Sequence, residues 1–172
     1  MGTRGLTKVI DADGVLKVAQ YGQWDHYPSG QGLNVLSIIS KYGMLGRIKD
    51  NLSKCVAGTV EQIERMAYEA MNTNAELITL EQGNMLERMY PQLSRNTCSD
   101  ILNVIAYSMG NEIVLHLDTD FENDELFCEG VFTVNFQTNE FISNCGVEVR
   151  FPLDKLPTEE VYLNAFRQEA VA

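Results

Sequence analysis

Leu6-Thr7-Lys8-Val9-Ile10-Asp11-Ala12-Asp13-Gly14-Val15-Leu16-Lys17-Val18-Ala19-Gln20-Tyr21 is the stretch on which the fold turns. Leu6 to Ile10 and Val15 to Tyr21 are rich in β-branched and apolar residues. The Asp13-Gly14 pair between them supplies the positive-φ position that a tight turn needs. This reads as an N-terminal hairpin. The same period of two returns only in the last third of the chain. There Ile113, Leu115 and Leu117 alternate with Val114, His116 and Asp118. Phe127 to Phe136 and Glu140 to Cys145 flank a turn at Gln137-Thr138-Asn139, and Val147, Val149 and Phe151 add a further strand.

Between these ends the apolar period lengthens to that of helices. Leu33, Val35, Leu36, Ile38, Ile39 and Tyr42 fit a buried helix that Gly43 ends. Thr59 with Gln62, and Thr79 with Gln82, are capping-box pairs ahead of two more apolar-periodic runs. Thr97 opens a helix through Ile101, Leu102, Val104 and Ile105 to Gly110, and Pro157-Thr158 introduces a last one. Strands at both ends with helices between them predict an α+β fold. The N-terminal hairpin joins the C-terminal meander in one mostly antiparallel sheet, packed with helices from the middle of the chain. Residues 1–172 form a single domain on this reading, with no repeat or linker.

Thirteen Lys and Arg stand against 24 Asp and Glu, a formal charge of −11. A polyphosphate would have to approach a net-negative body, so a nucleic-acid polymer is not an expected partner. A small anion in one local pocket is compatible with that charge. No run approaches 18 consecutive apolar residues, and Gly2 to Leu6 has no signal-peptide core, so no membrane partner is expected. Leu6 also stands where a myristoylation site needs Ser or Thr. Cys55, Cys98, Cys128 and Cys145 lie far apart, and His26 and His116 are the only histidines. Neither a metal nor another cofactor is expected, and free thiols fit a cytoplasmic location. The P-loop, the Rossmann glycine pattern and the Gly-x-Ser-x-Gly elbow are missing.

Chemistry concentrates in Tyr21 to Gly32, which carries Tyr21, Gln23, Trp24, Asp25, His26, Tyr27, Ser29 and Gln31 among three glycines, just ahead of a helix. Ser29-Gly30-Gln31-Gly32 could cradle a phosphate or carboxylate on helix-start amides while Trp24 or Tyr27 stacks on a base. The plainer reading is a helix cap with Ser29 satisfying the backbone and Trp24 in the core. Arg4, beside Thr3 and flanked by Gly2 and Gly5, either reaches a ligand phosphate or pairs with Asp25. Ser94-Arg95-Asn96-Thr97 is a second polar helix start with a guanidinium beside it; capping with Arg95 on the surface is the alternative. Asp118 to Asp124 alternates acids, with Glu129 twelfth from Asp118, but Asn123 replaces the glycine a calcium loop needs, so a solvated acidic turn is expected. His116 is a weak candidate base without a visible nucleophile.

Several blocks taken together resemble a family of uncharacterised bacteriophage and prophage proteins. They are Met1-Gly2-Thr3-Arg4-Gly5, Gln20-Tyr21-Gly22-Gln23-Trp24-Asp25, Tyr27-Pro28-Ser29-Gly30-Gln31-Gly32, Leu93-Ser94-Arg95-Asn96-Thr97, Asp120-Phe121 and Leu126-Phe127-Cys128-Glu129. Asn96 and Cys98 stand where the family block carries Asp and Gly, which leaves the backbone turn of that loop open. The resemblance implies a phage-encoded protein of the host cytoplasm and brings no established activity. By analogy with small phage accessory proteins, it implies countering of host defence.

Three functions follow for comparison. The first is a binding module, in a homo-oligomer of two or more subunits, that sequesters a cyclic dinucleotide or cyclic ADP-ribose type of signal. Its ligand would meet Thr3, Arg4, Tyr21, Gln23, Trp24, Asp25, His26, Tyr27, Ser29, Gly30, Gln31, Ser94, Arg95 and Thr97. The second is a hydrolase cleaving such a signal, with His26 or His116 as base and Ser29, Thr3 or Thr97 as nucleophile or proton shuttle. The third is an acidic interaction protein that inhibits a host protein.

Overall fold

The computed structural model describes residues 2–75 and 77–169. The N-terminal hairpin forms as the sequence predicts, from β1 (Arg4–Ile10) and β2 (Leu16–Gly22). Its turn is built by Asp11, whose Oδ1 accepts from the amides of Asp13 and Val15 at 2.9 Å each, and by Gly14 at φ 83°. Two further strands, β3 (Cys55–Ala57) and β4 (Ile113–Leu115), precede the meander of β5 (Cys128–Asn135), β6 (Glu140–Asn144) and β7 (Glu148–Pro152). The main sheet has the order β2-β1-β5-β6-β7. Only its β1–β5 pairing is parallel, and there the whole helical middle of the chain serves as the crossover that a parallel pair requires.

One strand departs from expectation. The segment 113–117 does not extend the meander; β4 pairs in parallel with β3 in a separate two-stranded sheet. Three residues are too few to carry a readable alternation, so β3 gives no sequence signal.

The helices are α1 (Leu33–Ile39), α2 (Met44–Asn51), α3 (Val60–Met71), α4 (Leu80–Met89), α5 (Ile101–Ala106) and α6 (Glu159–Glu169). The helix expected to run to Gly43 ends at Ile39, capped by Ser40, and Gly43, at φ 72°, is instead the N-cap of α2, which the sequence reading passes over. The helix expected to reach Gly110 stops at Ala106. Both capping boxes close: Thr59 and Thr79 accept from the Gln62 and Gln82 amides while those glutamines accept in return.

One face of the sheet carries the core. Val9, Val18, Phe132, Val134 and Phe141 meet α1, α2 and α5 through Leu36, Ile39, Ile48, Ile101 and Leu102. Tyr162 of α6 is buried over Phe141, its hydroxyl 2.6 Å from that of Ser143. The opposite face is closed by the turn Thr119–Asn123. There Glu122 binds Lys8, and Phe121 meets the Tyr21 ring edge-on at 4.9 Å. Leu6, pointing to that second face, is therefore also buried. No helix of the described residues is long and apolar enough to cross a membrane.

Candidate functional site

The N-terminal tip, the loop from Tyr21 to Gly32 and the loop from Ser94 to Ser99 meet at the open end of the β1–β2 hairpin. The Gln23 amide donates to the Arg95 carbonyl at 3.1 Å, continuing the strand ladder beyond β2. The Trp24 indole N–H donates to Asn96 Oδ1 at 3.2 Å, and Gln31 Oε1 accepts from the Ser99 amide and hydroxyl. The His26 amide donates to the Thr3 carbonyl at 3.1 Å. Trp24 lies so close over Gly2 that a Cβ there would stand 2.5 Å from its ring.

His26 anchors the junction. Gly22, Gly5 and Gly130 pair side by side across β2, β1 and β5, and on the flat row they leave the imidazole lies over Gly22 and Gly5 and the His26 carbonyl over Gly130. A Cβ on Gly5 or Gly22 would come within 2.6 Å of Cδ2 or 2.7 Å of Nε2. The ring stacks on Phe132 with centroids 6.0 Å apart. Because a carbonyl only accepts, Nδ1 carries the proton it donates to Trp24 O at 3.0 Å, which leaves Nε2 bare and buried without a partner. Burial drives its pKa down to about 4, against the opposing hydrogen bonds with the Trp24 and Thr3 backbone.

The first turn of the following helix differs from the anion cradle expected there. Asp25 takes φ 61°, which turns its carbonyl to accept from the Tyr27 and Gln31 amides at 2.8 Å each. The Tyr27 carbonyl accepts from Gly30 at 3.0 Å and from Gly32 at 3.3 Å. The amides of Gly30, Gln31 and Gly32 are thus already bonded within the loop, and no side chain caps the turn. Ser29 is exposed and fills neither role assigned to it.

The second loop is also held internally. Ser94 Oγ donates to Glu87 and accepts from the Asn96 amide, and Thr97 Oγ1 donates to the Pro91 carbonyl. Cys98 holds the left-handed turn at φ 47° without a glycine. His26, Gln31, Ser94 and Thr97 are therefore buried and hydrogen-bonded within the protein. Thr3, Arg4, Tyr21, Gln23 and Gly30 are half-buried; Trp24, Asp25, Tyr27, Ser29 and Arg95 are exposed.

Arg4 does not pair with Asp25. Its amide donates to Glu129 at 3.1 Å and its guanidinium sits 5.1 Å from the centre of the Phe127 ring, with Nε buried and unpartnered. Among the described residues neither Arg4 nor Arg95 closes a salt bridge. Both charges bear on the Tyr21 hydroxyl. Burial raises its pKa, and the two guanidiniums pull it back. That hydroxyl donates to Gln23 Oε1 at 2.8 Å.

Arg95 stands between two clefts. One, of about 170 Å³, is lined by Gln20, Tyr21, Gln92, Leu93, His116 and Asp118 as well. The Asp118 amide donates to the Ala19 carbonyl at 3.0 Å, which sets this segment beside β2. Asp118 Oδ1 lies 3.7 Å from His116 Nδ1; burial raises its carboxyl pKa, opposed by His116 and the Tyr21 backbone. The other cleft, of about 550 Å³, runs along α4 and has Met71, Ile78, Leu80, Leu86 and Asn84 in its wall.

Three of the remaining acidic residues of 118–129 support the fold: Glu122 binds Lys8, Asp124 accepts from the Leu126 and Phe127 amides, and Glu129 holds the Arg4 amide. No group of three or more His, Cys, Asp or Glu among the described residues is placed to hold a metal. The four thiols are free, and burial pushes Cys55 up to about 11. Met1 of the first sequence block lies outside the described residues.

Sequence reasoning missed the α4 groove, Gln20, Gln92 and the pairing of His116 with Asp118. Only the last had a signal, since residues two apart on an extended segment share a side. Neither a family model, nor a curated protein, nor a solved structure matches this chain.

Proposed function

We propose that this chain is a phage-encoded cytoplasmic protein that binds and sequesters a small nucleotide-derived immune signal, acting as a homo-oligomer to counter host defence. One observation carries the binding reading: Arg95 shares a cleft with Tyr21, the Arg4 charge also bears on the Tyr21 hydroxyl, and neither guanidinium is bonded to a carboxylate. In a chain of charge −11, such a pair is a local positive site suited to phosphate. Trp24, 48% exposed and tethered through Asn96 beside Arg95, adds a stacking surface. Calorimetric titration with AMP, ADP-ribose and a cyclic dinucleotide tests it. At least one ligand binds the wild type, and Arg95→Ala weakens that binding at least about tenfold, or about 1.4 kcal/mol. Absence of binding to every member removes the proposal.

The His116–Asp118 pair favours one second reading, hydrolysis of the same ligand, with His116 as the general base on water and Asp118 orienting it. His26 drops out of that role because it is buried with Nδ1 already bonded. Chromatography of the ligand after incubation separates the readings. Sequestration returns it intact from heat-denatured protein, whereas hydrolysis yields products that His116→Ala abolishes.

A further inference from the structure

Resting on the nucleotide-binding reading, we propose that the ligand class is a nucleoside diphosphate joined to a second, base-free sugar, laid across Arg95 with one end in each cleft. Arg95 lines both clefts, so whatever fills both carries its anionic group in the middle and a neutral lobe at each end. The clefts are unequal in size, and only the larger has a run of apolar side chains in its wall. The α4 groove, about 550 Å³, lies within the about 300–1,000 Å³ typical of small-molecule sites. Met71, Ile78, Leu80 and Leu86 give it an apolar wall for a base, and the Asn84 amide offers a donor and an acceptor for a base edge.

The second cleft, about 170 Å³, has roughly a third of that volume. It leaves no room for a second base with its sugar. Its wall is polar, from Gln20, Gln92, His116 and Asp118, and a carboxylate beside amide groups is the usual partner of a ribose diol. A mononucleotide leaves this cleft unused. A cyclic dinucleotide brings two bases to a site with a single apolar groove. A diphosphate bridging a nucleoside and a bare ribose matches both ends, and the neighbouring Arg4 charge adds to that of Arg95.

Calorimetry on the full chain with ADP, ADP-ribose and cyclic di-AMP tests this, because ADP-ribose adds the terminal ribose to ADP and, by esterifying its end phosphate, removes one negative charge, so any gain in affinity comes from the ribose and not from charge. ADP-ribose is expected to bind at least about tenfold tighter than ADP. Asp118→Ala, and independently Gln92→Ala, bring the ADP-ribose affinity to within about twofold of the ADP affinity in the same variant. Gln92→Ala leaves the net charge unchanged, so its ratio reports the ribose contact free of any charge effect, and a thermal melt confirms that each variant is folded. Equal wild-type affinity for ADP and ADP-ribose, or tighter binding of cyclic di-AMP, overturns the inference and leaves nucleotide binding standing. No binding of any of the three overturns both.

Discussion

Gly22, Gly5 and Gly130 stand in one row because a Cβ on any of them would enter the space of His26. The imidazole in turn fixes the Trp24 carbonyl, and the His26 backbone amide ties the loop to Thr3. This arrangement has a consequence in pH. In the unfolded chain His26 titrates near the ordinary 6.5, whereas in the fold it titrates near 4. Between those values the unfolded chain binds the extra proton, so the contribution of His26 is complete above 6.5 and is lost as pH falls toward 4. The loss at pH 4.5 is roughly 2.5 kcal/mol for this group. Urea denaturation at pH 7 and 4.5 is expected to give a shallower pH dependence for His26→Asn than for the wild type. Equal dependence would show that His26 is not buried neutral. The sequence displays a histidine among exposed-looking loop residues, and only the register that aligns three distant glycines makes it a core residue. The same holds for Gln31, Ser94 and Thr97, whose partners lie in the other loop or in neighbouring elements.

At the scale of elements, α3 and α4 form a helical arm that adds one residue, Ala70, to the buried set. Their stability rests on the two capping boxes and on half-buried contacts between them. Amide exchange is expected to be fastest among the helices in α4 and slowest in β1 and β5, which pair on both sides. Thr79→Ala removes a cap worth about 1 kcal/mol and should accelerate exchange in α4 by roughly fivefold while leaving β1 and β5 unchanged. Uniform acceleration throughout the chain would show that the arm unfolds only with the core. Local signals of this kind were legible: the Thr-x-x-Gln pairs, the Asp-Gly turn and the alternation of the meander each specify an element by themselves. Two elements were hidden. Gly43 reads as the end of a helix but is the N-cap of α2, and β3 is too short to show a period. The parallel pairing of β1 with β5 is a long-range contact that no local pattern encodes.

For the molecule as a whole, the sequence anticipated that the N-terminal tip and two polar loops come together, and they do. The donors it assigned to a ligand are another matter. The loop amides close their own turn, and the groups left facing solvent are Trp24, Asp25, Tyr27, Ser29 and Arg95. The clefts on either side of Arg95 draw on α4, β2 and the segment after β4, three elements whose proximity depends on the complete topology. A net charge of −11 sharpens the contrast, since the Arg4 and Arg95 charges both bear on the Tyr21 hydroxyl within an acidic body. Trp24 is the sole tryptophan, so its indole N–H gives a single reporter at this corner. Titration of ¹⁵N-labelled protein with ADP-ribose, followed by heteronuclear correlation spectra, tests the ligand site directly. The Trp24 indole signal and the Tyr21 and Arg95 amides are expected to shift together and saturate at one ligand concentration. Shifts that gather elsewhere while these three signals stay in place would contradict it.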